Sequence, residues 1–145
     1  MSTKFSLMLS YLPQFQEMSH FEVDQVPTTD EEFELYVRLF KWNKENNVSE
    51  PWAYKDAGFT LNDILSQEQK VKDYAMSLLR EKRDALLLES DKITMKCYSQ
   101  GKPVPSEWAD YMNTLRDLPQ TSAPDIGDDG SLTGVIFPEK PTISV

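Results

Sequence analysis

The chain has 145 residues, 39% hydrophobic and 27% charged, which suits one domain of ordinary size with appended arms and lies clear of the disordered range. Its formal charge of −9 sets scattered Lys and Arg against an excess of Asp and Glu, so direct nucleic-acid binding and adsorption to anionic membranes are disfavoured. One Cys (Cys97) and one His (His20) allow no intramolecular disulfide and are too few for a Cys/His zinc site, and five Gly make a glycine-rich phosphate cradle improbable.

The opening stretch MSTKFSLMLSYLPQF has one Lys before a short apolar run, but serines break the run and no small-x-small cleavage site follows. A secretory leader is not expected, nor, with no run of about 18 apolar residues, a membrane span. A soluble intracellular protein is the expectation. Within FSLMLSYL, Phe5, Leu7, Leu9 and Tyr11 alternate as in an extended strand or arm; a helical turn packed on a core fits nearly as well.

PTTDEE at 27–32 is helix-start chemistry. Thr28 or Thr29 can cap free N–H groups, and Glu31 or Glu32 can complete a capping box. Phe33, Tyr36, Val37 and Phe40 follow at helical spacing, so a helix is predicted from about Asp30 to Asn46, ended by NNVSEPW. Residues 60–91 hold the longest helical pattern, with Thr60 and Ser66 as candidate caps, Ser66 with Gln69 at capping-box spacing. Residues 92–105 read as a connection in which Ile93, Met95 and Cys97 line an extended piece and QGKP turns the chain.

Ser106 is the expected N-cap of a helix carrying Trp108, Tyr111, Met112, Leu115 and Leu118 at i, i+3, i+4, i+7 and i+10, terminated by Pro119. Residues 120–134 are polar and turn-rich. DIGDDGS lacks the full calcium loop, and no metal is expected. VIFPEKPTISV, with two prolines, reads as an edge strand or extended docking strip.

The predicted fold class is therefore mainly α: an antiparallel helical hairpin with an additional N-terminal helix and extended N- and C-terminal arms. The expected division is an arm and helix at 1–59, a hairpin module at 60–120 and an extended tail at 121–145. No P-loop, HExxH, GxGxxG or nucleophile elbow occurs, so no catalytic residues and no cofactor are expected, and the protein is read as a non-enzyme.

RDALLLESD at 83–91, YSQGKPVP at 98–105, EWADYMNTLRDLP at 107–119 and VIFPEKP at 135–141 come in an order that resembles the phage tail assembly chaperone family, over roughly residues 75–141. Arg83, Leu86, Leu87, Ser90, Asp91, Trp108, Tyr111, Leu115, Arg116, Asp117, Leu118, Pro119, Phe137, Pro138, Lys140 and Pro141 carry the likeness. Two positions depart from it: Met112 stands where the family usually has Arg, and Lys92 where it often has Trp.

The resemblance implies an assembly protein that binds phage tail or tail-fibre proteins in the host cytoplasm, with retention in the virion as a structural component the alternative. An acidic inhibitor of a host protein is a third reading, and a homo-oligomer stays open. Arg83, Asp91, Trp108, Tyr111, Arg116, Asp117 and Phe137 are candidates for binding a partner or closing the hairpin. Arg116 is expected to pair with Asp91 or with backbone carbonyls at the helix ends, and Arg83 with Asp117, with Trp108, Tyr111, Met112 and Leu115 facing the preceding helix.

Overall fold

A computed structural model describes residues 3–143. It is 55% helix and 16% strand. The chain divides into two compact units: one of residues 1–73 with 126–131, the other of residues 74–125 with 132–145.

The first unit begins with helix α1 (Thr3–Ser10), which buries Phe5, Met8 and Leu9. With buried Leu12 these residues follow an i, i+3, i+4, i+7 series, so the segment is a helix and not the strand its alternation also suggested. After a 3-10 turn (Pro13–Glu17) come strand β1 (Met18–Val23), helix α2 (Asp30–Tyr36), strand β2 (Val37–Asn43) and strand β3 (Val48–Trp52). The strands form an antiparallel sheet in the order β1-β2-β3. Short helices α3 (Tyr54–Ala57) and α4 (Leu61–Leu65) lead into the long helix α5 (Glu68–Ser99).

The predicted helix start is present. The Thr29 hydroxyl accepts from the Glu32 N–H at 3.1 Å, while the Thr28 N–H and hydroxyl both donate to the Glu32 carboxylate at 2.8 Å. These bonds hold the Glu32 carboxyl below its usual range. The helix does not run to Asn46, however. It stops at Tyr36, whose carbonyl accepts from the Asp24 N–H at 2.8 Å, and the chain turns extended at Val37 (φ −120°, ψ 128°).

The mainly α reading, a helical hairpin with extra N-terminal helix and extended arms, is thereby overturned. Val37 and Leu39 are buried and Arg38 exposed, a period of two that places them opposite Val23 and Phe21 of β1. Leu35 and Trp42, which a helix over 30–46 would add to the apolar stripe, are exposed. Pro51 is tolerated because β3 is an edge strand. Packing of Phe33, Tyr54 and Phe59 also ties α2 to the segment after the sheet, with Tyr54 stacked on Phe33 at a centroid distance of 4.1 Å. The Tyr54 hydroxyl donates to Asp30 and accepts from the Leu61 N–H at 2.6 Å; burial, then the Asp30 bond, pushes it up to about 12.

Thr60 caps α4 in a reciprocal box with Asp63, so Thr60 and not Ser66 takes the capping role. From Tyr74 onward α5 belongs to the second unit. It continues through the predicted connection, because Ile93 and buried Cys97 extend its apolar face by a further turn. The helix closes at Gly101 (φ +67°), with the Lys102 N–H donating to the Cys97 carbonyl at 2.9 Å.

Helix α6 (Ser106–Thr121) is capped by Pro105, whose carbonyl accepts from Trp108 and Ala109; Ser106 makes no capping bond. Pro119 does not stop it at once. The ring removes only the bond to Leu115, and the helix ends two residues later. A minimal ladder joins β4 (Asp125–Ile126) to β5 (Leu132–Thr133). Among the described residues no helix is long and apolar enough to cross a membrane.

Gly134 fixes the start of the C-terminal strip. It has φ +75°, and a Cβ there would meet the Ala123 carbonyl oxygen at 2.0 Å. The Ala123 N–H donates to the Gly134 carbonyl at 3.2 Å, so the two backbones cannot separate without losing that bond. Gly134→Ala is expected to cost about 1–3 kcal/mol. Gly101→Ala, whose Cβ would enter open space, should cost less. Urea denaturation of the two variants checks the order.

Candidate functional site

In the second unit the apolar stripe of α6 meets one face of α5. Leu79, Trp108, Tyr111, Met112, Leu115 and Leu118 form a buried cluster, with Leu86, Leu87, Ile93, Val135 and Phe137 among the half-buried residues packed on it. Trp108 and Tyr111 pack edge to face at 5.8 Å. The Tyr111 phenol is pushed up, first by burial and then by the Glu89 charge. Ser90, buried in α5, returns its hydroxyl to the Leu86 carbonyl at 2.9 Å, so its polar group is satisfied within the helix. Met112 is buried, with the Thr94 hydroxyl 3.8 Å from its sulfur.

The C-terminal strip lies on this pair of helices without regular secondary structure. Val135 and Phe137 pack on the cluster, and the Lys82 ammonium sits 4.6 Å from the Phe137 ring centroid. Lys140 forms an ion pair with Glu89, and the Trp108 indole N–H donates to the Ile143 carbonyl at 3.2 Å. The Lys140 bond holds the Glu89 carboxyl below its usual range, and the same bond holds the Lys140 ammonium above its own.

The candidate residues fall into two groups. Trp108 and Tyr111 are buried within the cluster, facing Leu79 as expected, and Phe137 is half-buried against it. Arg83, Asp91, Arg116 and Asp117 lie at its margins. Arg83 pairs with its neighbour Asp84 at 2.9 Å, in place of the expected Asp117. Arg116 donates to Asn113 at 3.2 Å, in place of Asp91. The i+1 and i−3 partners lie on the same helix and need no reach across the seam.

Glu89, Lys82 and Lys140 are the contacts that sequence reasoning missed. The available signal was a Lys in an aromatic-Pro-x-Lys strip facing an acidic helix. The far side of α5 leaves Leu88, Met95 and Tyr98 in solvent.

A separate cleft of about 480 Å³ in the first unit is lined by Val37, Leu39, Trp52 and Tyr54, among others. Two of its polar side chains are engaged elsewhere: Arg38 bonds Glu22 at 2.8 Å and Asp24 at 2.7 Å, and the Tyr54 hydroxyl bonds Asp30. Among the described residues no group of three or more His, Cys, Asp or Glu is placed to hold a metal ion.

The elements just described, from Met76 in α5 through α6 to the strip, are also where the chain has a known counterpart. Residues 76–142 match the family model of the phage tail assembly chaperone protein, which bears out the resemblance read from the residues. The match supports a phage tail assembly role, and with it interaction with phage tail proteins. No curated protein and no solved structure matches the chain.

Two outcomes follow from the geometry. Leu115→Ala, at a fully buried seam position, should cost about 2–5 kcal/mol in urea denaturation. The Lys140–Glu89 contact should be complete at neutral pH. It should weaken as pH falls through the lowered Glu89 value, where the carboxylate takes up its proton, and again as pH rises past the raised Lys140 value. NMR shifts of the Phe137 ring, followed from neutral to acid pH, should move toward free-chain values. In Lys140→Ala they should start closer to those values, with little change in the urea midpoint.

Proposed function

We propose that the protein is a non-enzymatic assembly factor that binds tail or tail-fibre proteins while phage tails are being built. The observation that carries this reading is that the matched segment, residues 76–142, takes in most of the second unit, with α6, the larger part of α5 and the strip as far as Thr142. Tail fibres are long and symmetric, and their unpaired strand edges and apolar surfaces are exposed until assembly ends. A helper covers such surface by contact alone, which needs exposed side chains on a rigid base and no reactive group.

In this reading Trp108 and Tyr111 are the base, holding α6 on α5. Arg83, Asp91, Arg116 and Asp117 are the polar contacts at its edge, with Leu88, Met95 and Tyr98 as apolar contacts along the outer face of α5. Phe137 belongs to the strip. The arrangement suits a partner of mixed apolar and basic surface, given the charge of −9. The protein works in the host cytoplasm during assembly.

Co-expression with candidate phage tail and fibre proteins, followed by co-purification, tests the reading. A tail or fibre protein should be recovered with the chain, and recovery of none of them sinks the proposal. Arg116→Ala should keep the urea midpoint within experimental scatter, since Arg116 bonds an exposed Asn113, and should lower recovery of the partner. Finding the chain in purified particles would make it a permanent virion component.

A further inference from the structure

The strip from Gly134 to Ile143 is held the way a peptide ligand is held. Its backbone forms no helix or strand, and the contacts that fix it are mostly made by side chains. Val135 and Phe137 enter the apolar surface of the helix pair, Lys82 covers the Phe137 ring, and Glu89 takes the Lys140 ammonium. Two backbone bonds pin its ends, Ala123 N–H to the Gly134 carbonyl and the Trp108 indole to the Ile143 carbonyl. Pro138 and Pro141 favour an extended strip before it docks, so less entropy is lost when it lies down.

The spacing is selective. Phe137 and Lys140 are three residues apart, about 9.3 Å along an extended proline-type chain. Lys82 and Glu89 are seven residues apart on α5, about 10.5 Å along the helix. An aromatic ring and a Lys three positions later therefore fall together on a cation and a carboxylate two helical turns apart. A one-residue shift of the strip would bring Glu139 or Pro141 to Glu89, losing the ion pair.

We propose that this surface of α5 and α6 is a recognition groove for an extended aromatic-Pro-x-Lys segment of a tail protein, and that the chain's own strip is the occupant which such a segment displaces. The identity of the partner rests on the assembly reading above; the groove itself does not. The cis strip is present at a high effective concentration, which tethering sets in the millimolar range for short linkers. Its charged contact is exposed, with side chains of Lys140 and Glu89 half in solvent, so exchange is not blocked by a buried ion pair. A competing segment enters when it makes the same contacts and adds others along the outer face of α5.

The test uses the full chain and a fluorescent synthetic peptide, GVIFPEKPTI, the sequence of residues 134–143, read by anisotropy. Lys140→Glu weakens the cis strip and leaves the groove intact, so it should bind the peptide about ten-fold more tightly than the unaltered chain. Glu89→Lys, combined with Lys140→Ala so that no cis ion pair is restored, should lose that binding, and a peptide carrying Glu in place of its Lys should recover it. Equal binding by the unaltered chain and Lys140→Glu, or indifference to Glu89→Lys, overturns the groove. So does loss of folding in Lys140→Glu by circular dichroism, which would make the strip part of the fold and not a ligand.

A concentration-dependent dimer abolished by Lys140→Glu would assign the groove to the strip of a second copy and overturn the tail-protein occupant. Capture of a tail protein that excess peptide fails to compete overturns the groove while leaving the assembly role. Peptide binding without any such capture does the reverse.

Discussion

Helix α5 depends on the seam with α6. It is 32 residues long and densely charged, and its apolar residues occupy a narrow face. Helical propensity alone leaves such a segment marginal in water; packing of an amphipathic face against a partner is what holds it. Leu79 and Leu115, both fully buried, mark the middle of that packing, and Trp108 and Leu118 mark the reach of α6 along it. The strip needs the seam too. Val135 and Phe137 pack on residues that only the two helices together supply, and the Trp108 indole that bonds Ile143 is held edge-on to Tyr111. Any force that parts the helices therefore also frees the strip.

Helix α6 was legible because its five apolar residues repeat at one period and nothing competes with it. Residues 33–43 were not, because two periods overlap there. Phe33, Tyr36, Val37 and Phe40 satisfy a helix, while Val37 and Leu39 satisfy a strand. The deciding contacts are to β1, Val23 with Val37 and Phe21 with Leu39, some 14 to 18 residues away. No window of local sequence contains both partners. The same limit explains Arg38, whose carboxylate partners Glu22 and Asp24 come from β1 and its end. FSLMLSYL stayed open between strand and helix for a similar reason: it is short enough for both periods, and burial of Phe5, Met8, Leu9 and Leu12 selects the helix.

The candidate site divides along the same line. Residues whose role is to be buried, Trp108, Tyr111 and Leu115, were placed correctly by spacing. The charged residues were paired wrongly, because exposed ion pairs are weakly selective and settle for near neighbours: Arg83 for Asp84, Arg116 for Asn113. The long-range pair that does form, Lys140 with Glu89, joins positions 51 residues apart and depends on how far the strip extends from Gly134. That length is a property of the fold around Ala123, beyond the reach of a sequence pattern.

Met112 departs from the resemblance read in the sequence, which has Arg there: a buried Met lies beside the Thr94 hydroxyl inside the seam. An Arg there would have to carry its charge out to solvent or find a carboxylate within the seam, and desolvating it would cost more than the thioether does. Met fills the space with polarizable bulk and asks for no partner. The seam of this protein is thus apolar at this position, and charges lie outside it: Lys82 and Glu89 under the strip, Arg83, Asp91, Arg116 and Asp117 at the margins. The helices are held together by apolar side chains, so a change at the exposed outer charges need not loosen the seam.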